Sequence, residues 1–191
     1  VAGGATGLLS FGLAGGLDPA LRPGMVIVPE RVVVGGGLLF PLPLREGVNI
    51  PTDPALNQRL GGATPHAILG GEAIAASAAE KHRLWQTTGA AAIDLESGAV
   101  ARAAAGHGLP FAVLRVICDP AGRDLPPAAL TALDGRGAIG LLRVIGSLIA
   151  RPGQFPGLMQ LAADAAAARR ALAERVAAIG SLSGGEGPVR H

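Results

Sequence analysis

Apolar positions along the chain change their period from one third to the next. Residues 8–13 are a short apolar run ending in a glycine-rich corner, Gly12, Leu13, Ala14, Gly15 and Gly16, which predicts a strand feeding a tight turn. Residues 25–28 and 31–34 are β-branched runs broken by Pro29, the pattern of strands that bend or change sheets, and Pro23-Gly24 marks the turn before them. Residues 35–66, rich in Gly and Pro and without periodicity, read as a long irregular excursion.

The pattern then becomes helical and strand-like in alternation. Residues 75–88 hold good helix formers and stop at Gly89; 91–95 are a buried strand; 96–107 are a helix closed by Gly108 and followed by Pro110. Residues 111–117 are the clearest strand, a continuous apolar run broken only by Arg115. A strand–helix–strand succession with short links predicts parallel strands covered by helices. Residues 138–150 read as an apolar helix stopped by Pro152. Leu158, Leu161, Ala165, Ala168, Leu172, Val176 and Ile179 then recur at three- and four-residue steps, a helix packed on the domain, with a membrane-surface role as the minor alternative. The expected architecture is a three-layer α/β/α fold with a central, twisted, mixed sheet: one domain over 1–180 and a flexible Gly- and Ser-rich tail over 181–191.

Composition narrows the function. The net charge of +2 and the lack of basic clusters with interleaved aromatics exclude a nucleic-acid surface. Lys81 is the only lysine among many arginines, a skew read as a habit of genome composition. A single cysteine, Cys118, rules out an intrachain disulfide and a Cys-based metal cluster and fits a reducing, cytoplasmic compartment. His66, His82, His107 and His191 show no metal-ligand spacing, so no metal is expected.

Three segments read as strand ends delivering polar groups to one place: the Gly12–Gly16 corner, Asp94-Leu95-Glu96-Ser97, and Cys118-Asp119-Pro120. Ligands of open α/β sheets bind beyond the carboxyl ends of strands, where a glycine corner exposes N–H groups. An acid directly after a buried strand is well placed for proton transfer. Bland alternatives stand beside each. Asp119 before Pro120 can start a turn, and Glu96 can be a first-turn helix acid. Asp94 is expected to be structural, Cys118 a small buried hydrophobe, and Arg115 a buried partner for a carboxylate.

These residues also carry a resemblance. LSFGLAGGL (9–17) with LRPGMVIVP (21–29) resembles the glycine corner and following strand of the nucleoside phosphorylase and nucleosidase superfamily. IDLESGAVA (93–101) is similar to its ribose-binding segment, and LPFAVLRVICD (109–119) to the strand ending in its catalytic aspartate. SFGLAGGLDP (10–19), DPAGRDLPPA (119–128) and RPGQFP (151–156) are most similar to the hopanoid-associated phosphorylases.

The resemblance implies cleavage of a purine N-glycosidic bond, with adenine released from adenosylhopane in hopanoid lipid synthesis. Inorganic phosphate is then the co-substrate and no cofactor is needed. Asp119 protonates the departing base, Glu96 holds the ribose, and Gly12, Leu13, Ala14, Gly15, Ile74, Leu95 and Cys118 line the substrate, with Arg123 as a phosphate ligand. It also implies a homo-oligomer and a lipid-linked substrate, the latter bringing peripheral membrane contact. The alternatives are a methylthioadenosine or adenosylhomocysteine nucleosidase, and a non-catalytic nucleoside- or lipid-binding protein of the same fold. Two departures matter. Leu13 stands where the family often has Ser, and residues 1–6 leave no room for its opening strands and helix. These strands are expected to be missing by truncation or, preferably, as omitted disordered segments, because losing a central strand should leave an unstable core.

Overall fold

Residues 8–11 alternate with exposed positions at Leu9 and Phe11, residues 12–16 are half-buried or buried, and together they form strand β1 (Leu8–Gly16), which runs straight through the expected glycine corner. The chain continues through β2 (Val26–Ile27), β3 (Pro29–Val34), β4 (Val48–Pro51), α1 (Pro54–Arg59), β5 (Thr64–Gly70), α2 (Ala78–Thr88), β6 (Ala92–Asp94), α3 (Ser97–His107), β7 (Phe111–Asp119) and α4 (Phe155–Ser183). This computed structural model describes residues 4–35, 47–127, 129, 153 and 155–183. The expected 138–150 helix and most of the expected tail lie outside the described residues; helix α4 takes in the first residues of that tail, to Ser183.

The strands form one seven-stranded mixed sheet in the order β2-β7-β1-β6-β5-β3-β4. Helices cover both faces. Val32, Val34, Ile68, Val113 and Ile117 pack with Ala101 and Ala104 of α3. The alternate residues Val33 and Leu69, with Ile93, meet Leu84 of α2, while Ala112 and Leu114 meet Leu172 and Ile179 of α4. Each fully buried Val, Leu or Ile here contributes roughly 1.5–3 kcal/mol by leaving water. The expected three-layer α/β/α architecture is the observed one.

The local signals explain where elements begin and end. Ser77 accepts the Glu80 N–H and caps α2, so the helix starts at Ala78 and residues 75–77 precede it, three residues later than expected. Gly89 and Gly108 close α2 and α3 in the left-handed conformation, at φ 66° and 62°. The 35–66 stretch is not one irregular excursion. Within it, β4 pairs antiparallel with β3 at the sheet edge, and Asp53 caps α1 by accepting the Leu56 N–H, with Pro54 in the first turn. Thr64 then opens β5, whose pairing with β3 is irregular between Pro29 and Arg31, so Pro65 costs the ladder little.

The expected parallel relation of the strands flanking α3 does not hold. Strand β1 lies between them, parallel to β7 but antiparallel to β6 at Gly15–Ile93 and Gly16–Ala92. A β6 of three residues makes only that brief contact with β1, while its other edge pairs parallel with β5. No helix among the described residues is long and apolar enough to cross a membrane.

Candidate active site

The β1–β7 ladder has a defect that decides which way Asp119 points. Ala14 pairs with Ile117, yet Gly15 pairs with Asp119, so Cys118 is the extra residue of a bulge. Strict alternation from Ile117 would send Asp119 toward α3. The bulge sends it to the opposite face instead, where an added Cβ on Gly15 would lie 3.9 Å from Asp119 Oδ2.

There Asp119, 5% exposed, meets Lys81 of α2, 1% exposed, in a buried ion pair. Lys81 Nζ also donates to the carbonyls of Pro120 (3.1 Å) and Arg123 (2.8 Å). The other carboxylate oxygen, Asp119 Oδ1, is buried and has no hydrogen-bond partner among the described residues. Burial raises the Asp119 pKa above the ordinary carboxylate range, with Lys81 opposing it. Burial, then the Asp119 charge, pushes the neighbouring Cys118 thiol up to about 11.

Asp119 opens on a cavity of about 550 Å³. Of the expected site residues, Leu13, Ala14, Gly15, Ile74, Leu95, Glu96 and Cys118 line it as well. Its far wall is apolar, built by Leu125, Ala129 and the α4 residues Leu158, Leu161, Ala162 and Ala165, with Arg169 also on the lining. Lys81 and the α4 wall were not among the expected site residues.

The second carboxylate is held from beneath. Asp94 Oδ1 accepts the Glu96 and Ser97 N–H groups (3.0 and 2.7 Å), which starts α3 and fixes Glu96 at its threshold. Arg115, 0% exposed, donates through Nε to Asp94 and through Nη2 to Ser10 (2.7 Å), Ser97 (3.2 Å) and Glu96 (3.2 Å). Its Nη1 has no partner among the described residues. Arg115 is thus the buried partner of a carboxylate, and Asp94 has the structural place expected of it.

Two expected residues sit elsewhere. Gly12 is not on the cavity lining; it lies against Arg115, whose Nη1 would be 2.8 Å from an added Cβ. Arg123 is bonded to Asp164 of α4 rather than turned to the cavity. No cluster of His, Cys, Asp and Glu among the described residues could hold a metal ion. A nearly enclosed carboxyl with one oxygen unpartnered among the described residues, and a second carboxylate on the same largely apolar cavity, with a glycine-bearing strand between the strands that carry them, can bind a flat polar ring and hand it a proton.

The chain is similar to several known proteins. The chain is 31% identical over 149 residues to the 5'-methylthioadenosine/S-adenosylhomocysteine nucleosidases of Mycobacterium bovis and Mycobacterium tuberculosis, a match covering 59% of this chain and 58% of each relative. The chain thus spans little more than half the length of these curated relatives. The native futalosine hydrolase of Helicobacter pylori superposes with a TM-score of 0.58 at 24% identity, covering 78% of this chain and 70% of that one. The 5'-methylthioadenosine/S-adenosylhomocysteine nucleosidase of Helicobacter pylori with butyl-thio-DADMe-Immucillin-A superposes at 0.59 and 22% identity, covering 92% and 70%. The phosphorylase superfamily model matches residues 1–134, and with that match over the sheet and both carboxylates the chain belongs to the phosphorylase superfamily.

Proposed function

We propose that this protein cleaves the N-glycosidic bond of a purine nucleoside carrying an apolar group on its sugar, and that adenine leaves. One observation carries the reading: Asp119, whose Oδ1 is buried and has no hydrogen-bond partner among the described residues, lines a largely apolar cavity that Glu96 lines as well. Breaking the C1'–N9 bond leaves the electron pair on the base and positive character on the ribose. Protonation of the base at N7 by Asp119 neutralises the first, and burial favours the protonated form of the donor. Glu96, steadied by Arg115, accepts hydrogen bonds from the ribose hydroxyls. Ile74, Ala14 and Gly15, which line the same cavity, cradle the base.

Water is the better-supported nucleophile. Arg123, the phosphate ligand expected from resemblance, is engaged by Asp164, and Leu13 offers no hydroxyl. The curated relatives named above are nucleosidases. A second reading, phosphate-dependent release of adenine from adenosylhopane, draws support from the Leu158, Leu161, Ala162 and Ala165 wall, which suits a lipid chain as well as a small thioether.

Chromatography of products from methylthioadenosine and from an amphiphilic adenosyl lipid, each with and without phosphate, tests both readings. Adenine with a free sugar supports hydrolysis, and adenine with a sugar 1-phosphate supports phosphorolysis. No adenine from either substrate, despite binding, sinks the enzyme reading. Asp119→Asn is expected to stay folded and slow release at least about 100-fold.

A further inference from the structure

A carboxyl group has two oxygens, and only one of them can face a bound base. What selects that oxygen here is Lys81. Its ammonium has three N–H donors and no acceptor capacity, and all three donors are engaged by residues 119–123: Asp119 Oδ2, the Pro120 carbonyl and the Arg123 carbonyl. A donor-only partner bonds the oxygen that carries no hydrogen. Any proton on Asp119 is therefore directed to Oδ1, the oxygen with no partner among the described residues. The same three bonds tie the fourth residue of α2 to the end of β7 and the turn after it, which restrains rotation of the carboxyl.

We infer that Lys81 is a positioning residue for proton delivery: it occupies Asp119 Oδ2, so that the transferable proton sits on Oδ1 and faces the leaving base. This rests on the reading of Asp119 as proton donor. Balance is simple: the Oδ1–H bond breaks as N–H forms on the base, Lys81 keeps its three hydrogens, and the nucleophilic water's released proton restores the carboxyl. The charged groups that act on Asp119 are Lys81 from α2, Arg123 from the turn after β7 and Asp164 from α4.

The test compares Lys81→Met and Lys81→Arg with wild type, following adenine release against pH, with circular dichroism to check folding. Lys81→Met is expected to lower kcat about 10- to 100-fold with little change in KM. Its high-pH decline should move to higher pH, because the cation that favours the ionised carboxyl is gone. Lys81→Arg, which keeps charge and donors, should recover part of kcat and return the decline toward the wild-type position. A folded Lys81→Met with wild-type kcat and an unmoved decline overturns the inference.

Wild type supplies its own check, because Lys81 is the only lysine and 15N-lysine labelling gives a single Nζ signal. That signal should move in Asp119→Asn and on addition of adenine. Adenine that binds by calorimetry yet leaves the signal in place overturns the positioning role, even if Lys81→Met fails to fold. Asp119→Asn with undiminished adenine release counts instead against the proposed function.

Discussion

Arg115 reaches Asp94 across an intervening strand. Arg115 stands on β7 and Asp94 ends β6, and β1 lies between those strands. The position of β1 paired with Arg115 is Gly12, where the guanidinium passes without meeting a side chain. The glycine matters here for its missing Cβ, since it lies within a strand rather than in a left-handed turn. The pair then holds Glu96 through Arg115 Nη2 and the start of α3 through Asp94 Oδ1.

Gly12→Ala should therefore destabilise the protein by about 1–3 kcal/mol. Its new methyl would press on Arg115 Nη1 at 2.8 Å, and four hydrogen-bond partners keep that side chain from yielding. Gly106→Ala is the control: nothing lies within 4 Å of its added Cβ, and in α3 it should stabilise by up to ~1 kcal/mol. Urea denaturation of the two variants checks the contrast, and equal effects would refute the account of Gly12.

Arg115→Met removes the cation and leaves Asp94 buried with its charge unopposed, at a cost of about 3–5 kcal/mol. Adding Asp94→Asn removes that stranded charge as well. The double variant should thus be more stable than the sum of the two single losses implies, by at least about 1 kcal/mol in a denaturation cycle. Strict additivity would mean that the two residues do not act as a unit.

Three local patterns in the sequence mark most of the cavity's polar lining. The Gly12–Gly16 stretch, Asp94 to Ser97, and Cys118-Asp119 are each short, and β7, β1 and β6 do bring them together. Lys81 was opaque for a physical reason. Its partners lie 38 or more residues away, and no periodicity in α2 announces a contact of that range. Its solitude among arginines was the one available signal, and composition absorbed it. The Cys118 bulge was hidden too, because the strand is buried on both faces and its apolar run over 111–117, broken only by Arg115, has no alternation that could reveal a shift of face. The 35–66 stretch misled through its Gly and Pro content, although Asp53-Pro54 was a readable helix start.

Cys118 should behave as a quiet thiol. Burial and the Asp119 charge push it up to about 11, so the thiolate is scarce at neutral pH. Alkylation at pH 8 should run about 100-fold more slowly than for a cysteine of ordinary acidity, and unfolding in urea should abolish the difference. Fast labelling of the native protein would contradict the packing described for the end of β7.

The remaining prediction concerns Asp119, where burial and Lys81 act in opposite directions. Burial is the larger influence, so the folded protein holds this proton to higher pH than the unfolded chain does. A carboxyl raised on folding contributes stability at low pH. That contribution is lost as pH rises from the ordinary carboxylate value through the raised folded value, and above it the loss is complete. Asp119→Asn has no such proton. The stability of wild type relative to Asp119→Asn should therefore fall with rising pH across that window and level off beyond it, as urea denaturation at matched pH would record. If the difference grew with pH instead, Lys81 would be outweighing burial and Asp119 would be a permanent carboxylate. Such a group could accept a hydrogen bond from a base but not supply its proton. Adenine release offers the matching readout, because a donor that has lost its proton is inactive and the rate should decline as pH climbs through the same folded value.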